Sequence, residues 1–196
     1  MVRWIAIAVM ASLVAPAWSA EPKEKPDLAS VTKAITEAAQ PSAELKKLDP
    51  LAGNFNYTCK MWMDPTQPAK ESKGTIQRKW VLGNRFLEEK VTGTGFDGTS
   101  DFEGMGVVGY DKHQKKFTMG WISNMSSGIT TSTGSYDSAD NKFTFDKEEF
   151  CPIRERKVQM RDVVRIESND KHVIAMYDLD GGKETRMMEI VATRQK

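Results

Sequence analysis

The stretch "TIQRKWVLGNRFLEEKV", Thr75 to Val91, decides the fold. Gly83-Asn84 is turn chemistry, and polar and apolar residues alternate on both sides of it, the pattern of two antiparallel strands joined by a short turn. Pairing Leu82 with Arg85 across a two-residue turn fixes the register: Trp80 falls opposite Leu87, Arg78 opposite Glu89 and Ile76 opposite Val91. These residues share the more apolar face, which is expected to point inward. That face carries an opposite charge pair in its middle, and a buried pair needs a reason because both ions must shed water.

Working outward, the same texture runs from Gly53 to the C-terminus. Segments rich in Val, Ile, Thr, Phe, Tyr and Trp are separated by turn residues at "DPTQPAKES", "LGNR", "GFDGTS", "DKHQKK", "NMSSG", "DSADN", "CPIRERK", "SNDK" and "DGGK". The spacing predicts about ten strands. No segment between them is long enough for a crossover helix, so neighbours must be antiparallel. With no helices to cover sheet edges, closure into an up-and-down β-barrel is the economical all-β fold, and a barrel of this size can hold one small ligand.

The region before Gly53 reads differently. Arg3 followed by an uncharged run from Trp4 to Ala20 is a secretory signal peptide, with small residues favouring cleavage near Ser19 or Ala20. Residues 1–20 are therefore expected to leave, residues 21–50 to form a tether and short helical plug, and residues 51–196 to form the barrel. "LASVTKAITEAA" fits a short N-terminal helix capped by Asp27 or Ser30, and "SAELKKL" a second turn or two beginning at Ser42. A periplasmic or secreted address follows, with no membrane span in the mature chain. Loss of Arg3 leaves basic and acidic residues in balance, so no basic stripe invites nucleic acid. Cys59 and Cys151 are the only cysteines; in an oxidising compartment they either pair or remain as two small buried hydrophobes.

The segments "LAGNF", "TCKMWMDP", "RKWVLGNRFLEE", "FEGMGVVGYD", "KKFTMGWISNMSSGI" and "MMEIVATR" together resemble an uncharacterised bacterial family, a domain of unknown function, over roughly residues 47 to 194. That resemblance implies a calycin-like barrel related in shape to lipocalins and fatty-acid-binding proteins, without an established activity. "LAGNF" is also similar to the opening of lipocalin barrels, in which an aromatic packs at the closed end beneath an arginine from the last strand. Phe55 and Arg194 are the matching positions, with Phe standing where the lipocalin pattern has Trp.

Other motifs carry less chemistry. Two stretches match Gly-x-Gly-x-x-Gly, at Gly93, Gly95 and Gly98 and at Gly104, Gly106 and Gly109, but neither opens a helix that would hold a pyrophosphate. Glycine that permits close backbone approach in a strand is the plainer account. His113 and His172 are the only histidines, too few for a zinc site; His172, followed by a strand, is the better candidate for a haem ligand, though an exposed turn position is the commoner case. The acidic run "DKEEF", Asp146 to Phe150, reads as a solvated strand edge. No cofactor is implied.

Methionines beside flat aromatics suit an adaptable apolar pocket. The first functional reading is therefore an exported barrel that binds a small apolar or amphipathic molecule, with Met61, Trp80, Trp121 and Tyr177 lining the interior and Arg78 with Glu89 orienting a polar group. An enzyme is the alternative, with Glu89 as general base and Arg78 stabilising an anion. A Cu(I) site at Cys59, Met61 and Met63 is a further one, because alternate positions of an extended strand point the same way and thiolate and thioether sulfurs suit a soft ion. Oligomeric state is open.

Overall fold

The computed structural model describes residues 27–64, 66–95 and 97–196. The proposed signal peptide and the start of the tether lie outside the described residues. Two units divide at Ala38 and Ala39. In the first, helix α1 (Leu28–Ala38) follows Asp27, whose side chain accepts from the Ser30 amide at 2.8 Å, so Asp27 is the cap of the two expected from sequence.

The second unit is a closed antiparallel ring of ten strands. In chain order these are β1 (Gly53–Met61), β2 (Lys70–Val81), β3 (Phe86–Thr94), β4 (Asp101–Asp111), β5 (Lys116–Ser123), β6 (Thr130–Asp137), β7 (Lys142–Cys151), β8 (Arg156–Ser168), β9 (Lys171–Asp178) and β10 (Thr185–Arg194). Each pairs with its sequence neighbours, and β1 closes against β10 from Phe55–Arg194 to Met61–Met188. Closure leaves no row of unpaired backbone groups at an edge. Strand alternation sets the two faces: in β1, Phe55, Tyr57 and Cys59 are buried while Asn56, Thr58 and Lys60 are exposed. Among the described residues no helix is long and apolar enough to cross a membrane.

The diagnostic hairpin has the expected register, with Ile76–Val91, Arg78–Glu89 and Trp80–Leu87 as partners. Its turn is wider than two residues. Leu82, Gly83 and Asn84 all adopt left-handed conformations, at φ 49°, 66° and 60°, so the ladder stops at Val81–Phe86 and Leu82 does not pair with Arg85. Arg85 instead returns its guanidinium to the Leu82 carbonyl at 3.0 Å.

One end of the barrel is stoppered by a 3-10 helix, Ala43–Leu51, capped by Ser42, which accepts from the Glu44 amide at 3.2 Å. At three residues per turn, Leu45, Leu48 and Leu51 fall on one face. All three are buried against Leu87, Phe117, Phe143 and Phe145. Burial of each leucine contributes about 1.5–3 kcal/mol. Beside this plug, the Arg194 guanidinium sits 4.5 Å from the Phe55 ring centroid and donates to the carbonyls of Ala52 (2.8 Å), Pro50 (3.1 Å) and Asn169 (2.6 Å). The aromatic-under-arginine arrangement expected at the closed end is present, and it ties the last strand to the entry of the first.

Candidate functional site

Above the plug the barrel is hollow. A cavity of about 300 Å³ runs from Leu48 and Leu51 at the stoppered end to Thr94, Ser123, Met125 and Thr130 near the opposite loops. Its walls are mostly apolar, from Ile76, Phe102, Val108, Met119, Trp121, Met176, Met188 and Ile190 among others. The Trp121 indole lies across two glycines of β4: a Cβ at Gly104 or Gly106 would overlap its ring. The second Gly-x-Gly-x-x-Gly stretch is therefore a bed for an aromatic side chain, as close-approach glycines in a strand allow.

Of the residues expected to line the interior, Arg78, Glu89 and Trp121 do so. Met61, Trp80 and Tyr177 are not part of the wall, each for a geometric reason. Trp80 lies two residues nearer the turn than Arg78, one layer lower, and packs against the plug cluster. Tyr177 follows Met176, which faces the cavity, so alternation sends Tyr177 outward, level with Arg161 and Arg186 on the neighbouring strands. Met61 is the last residue of β1, and the wall at that level is supplied by its register partner Met188.

The inward ion pair is real and heavily buried: the Arg78 and Glu89 side chains are 5% and 19% exposed and hydrogen-bonded through Nε. Arg78 Nη1 donates to His172 Nε2 at 2.9 Å and reaches the Leu51 carbonyl at 3.5 Å. Because arginine can only donate, Nε2 is an acceptor and His172 is the neutral Nδ1–H tautomer. Burial, then the nearby Arg78 and Arg194 charges, push its pKa down to about 3. His172 is 1% exposed, packs edge-on against Phe55 at 4.7 Å and is not in the cavity wall, so it is not placed to ligate a haem there. His113 is an exposed turn residue whose amide donates to Asp111 at 2.8 Å. Arg78 thus spends its donors on the chain's own acceptors, which is a scaffold's use of an arginine more than an open anion site.

A second charged group sits in the wall that sequence reading did not find. Lys147 Nζ donates to Asp162 Oδ2 at 2.9 Å, with side chains 9% and 5% exposed. Burial pushes the Asp162 carboxyl up, partly offset by Lys147. Glu149 also lines the cavity. The run "DKEEF" is therefore no plain solvated edge: Asp146 and Glu148 face outward to Arg161 and Lys157, while Lys147 and Glu149 continue the inward file begun by Phe143 and Phe145. The signal was available in the alternation of that strand.

Cys59 and Cys151 are both free, on strands that are not neighbours in the ring. Cys59 lines the cavity, and burial raises its pKa. Met63 lies past the end of β1, 58% exposed, beside Arg154, Asp178 and Asp180 in a separate crevice. Strand alternation ends before it, so Cys59, Met61 and Met63 do not converge as copper ligands would. Trp62, just past the end of β1, has the Arg186 guanidinium over its ring at 4.9 Å.

A solved structure shares the barrel's fold. Rv2717c from M. tuberculosis is 18% identical, with 80% of this chain and 100% of that chain covered at a TM-score of 0.56. A redesigned β-barrel, b11L5F_LGL, is 17% identical over 79% of this chain and 100% of that one, with a TM-score of 0.41. The structure of EF1p2_mFAP2b bound to DFHBI is 12% identical over 77% and 98%, with a TM-score of 0.40. No curated protein matches the chain. A family model described as a protein of unknown function, DUF1579, matches residues 40–194, and the chain belongs to that family.

Proposed function

We propose that this protein is an exported β-barrel that binds one small apolar or amphipathic molecule in its interior. The observation that carries this reading is the cavity itself: about 300 Å³ of hollow space inside a closed barrel, walled by apolar side chains with a few fixed polar groups. A volume at the lower end of ligand pockets suits a single chain or ring system. Four methionines, Met119, Met125, Met176 and Met188, beside Trp121 and Phe102 give a wall that can adapt to shape. Exposed apolar side chains at the loops of the open end, Met125, Ile129 and Ile153, offer an apolar approach. The exported address rests on the signal sequence of residues 1–20.

Native mass spectrometry of protein purified gently from its own host is expected to show a bound small molecule. Saturable uptake of N-phenyl-1-naphthylamine, a neutral apolar fluorophore, is expected from the emptied protein, with quenching of Trp121. A protein that carries no small molecule and takes up no fluorophore sinks the proposal. Intact mass of the exported protein tests the address: it should begin at Ala20 or Glu21.

A further inference from the structure

We infer that the ligand of this cavity carries a cationic, hydrogen-bond-donating head, a protonated amine, received by the free oxygen of Asp162 on the β7–β8 wall. The inference rests on the proposed binding function and names the class of ligand. Asp162 is 3% exposed, lines the cavity, and uses only Oδ2 on Lys147; its Oδ1 has no hydrogen-bond partner among the described residues. A buried carboxylate oxygen without a donor is costly, and Asp162 borders the cavity. Among the described residues Ser132 Oγ, on β6 beside β7, is the other buried side-chain oxygen without a hydrogen-bond partner, so both oxygens lie on the same side of the barrel.

The charge inventory points the same way. Five charged side chains line the cavity: Arg78 and Lys147 against Glu89, Glu149 and Asp162. Both cations are already held by carboxylates, Arg78 additionally by His172 and the Leu51 carbonyl. Glu149 forms no ion pair within 4 Å among the described residues and stands on the inward file of β7, two positions nearer the loops than Lys147. Down this wall come Glu149, then Lys147, then Asp162 level with Phe145. The five lining charges leave an excess of one negative, which favours an entering ammonium over an entering carboxylate. The burial that raises Asp162 is what a positive head would relieve.

Three probes of one chain length separate the possibilities: decylamine, decan-1-ol and decanoate, each titrated at pH 7 against bound N-phenyl-1-naphthylamine. Decylamine is expected to bind at least about tenfold more tightly than decanoate, with decanol between. Asp162→Asn keeps shape and an acceptor oxygen but removes the charge; it should erase most of the amine's advantage and leave decanol within about threefold of wild type. Should Asp162→Asn fail to fold, Glu149→Gln near the mouth is the second variant, expected to weaken decylamine alone, by about threefold. Decanoate binding as tightly as decylamine overturns the inference, as does an amine preference that survives both substitutions. In either case the binding function stands, whereas failure of all four probes to bind removes both.

Discussion

Two ion pairs face each other across the barrel, Arg78–Glu89 on β2–β3 and Lys147–Asp162 on β7–β8, five strands apart in a ring of ten. Both are buried and both line the same cavity. They differ in how completely they are satisfied. Arg78 is held by Glu89, by neutral His172 and by a carbonyl of the plug, so it knits three parts of the closed end together. Lys147–Asp162 has one contact between its partners, and among the described residues Asp162 Oδ1 has no hydrogen-bond partner. A buried pair stabilises only when its remaining donors and acceptors are also satisfied. The first pair therefore belongs to the architecture, and the second leaves a valence for something else.

The comparison can be broken by substitution. The largest effect is expected from Arg78→Met, which strands Glu89, His172 Nε2 and the Leu51 carbonyl together: about 3–5 kcal/mol of stability, read from urea unfolding at pH 7. Lys147→Met should cost less, about 1–3 kcal/mol, because Asp162 is already raised by burial and can take up a proton in place of its partner. Equal losses would remove the distinction between the walls.

Acid sharpens the same contrast. The folded pKa of His172, about 3, lies below its ordinary 6.5, so the folded state binds fewer protons than the unfolded chain. Its stabilising contribution is complete above about 6.5 and is lost as the pH falls toward 3, at up to ~1.4 kcal/mol per pH unit. Between pH 6 and 4.5, roughly, the urea midpoint of wild type should fall faster than that of His172→Gln. Asp162 has the opposite sign: with its folded pKa raised above the ordinary 3.8, its contribution is present at low pH and is lost as pH climbs through the folded pKa, so this carboxyl is not a source of acid lability.

The smallest change is expected from removing the second pair whole. Lys147→Met with Asp162→Leu should leave stability within about 1 kcal/mol of wild type or above it, since apolar groups of similar volume replace two ions that were costly to desolvate. The matching double substitution Arg78→Met with Glu89→Leu should still lose about 1–3 kcal/mol, because the His172 nitrogen and the Leu51 carbonyl lose their donor. If both doubles are neutral, Arg78 has no structural role beyond its pair.

The residues show where sequence reading reaches its limit. The hairpin register and the inward placement of Arg78 and Glu89 followed from a period-two pattern on either side of Gly83-Asn84, because alternation and register are local properties of a strand. All nine turn segments separate strands where turn chemistry placed them. Phe55 under Arg194 followed from resemblance, across almost the whole length of the barrel. By contrast Trp80 and Tyr177 belonged to the right kind of residue in the wrong layer or on the wrong face. Depth along the barrel axis and the extent of the plug decide whether an inward side chain meets the hollow or the stopper, and neither is written in one strand.

What the sequence by itself determined is the barrel: strand count, antiparallel order, the capped plug and the charged pair, all set by alternation, turn residues and capping chemistry over short spans. Only the tertiary structure decided that the interior is hollow, that His172 is spent on Arg78, and that Lys147, Glu149 and Asp162 share its far wall. Those facts depend on which strands closure sets opposite one another and on how much space the large side chains leave between them, and volume left over is a property of the whole packed ring.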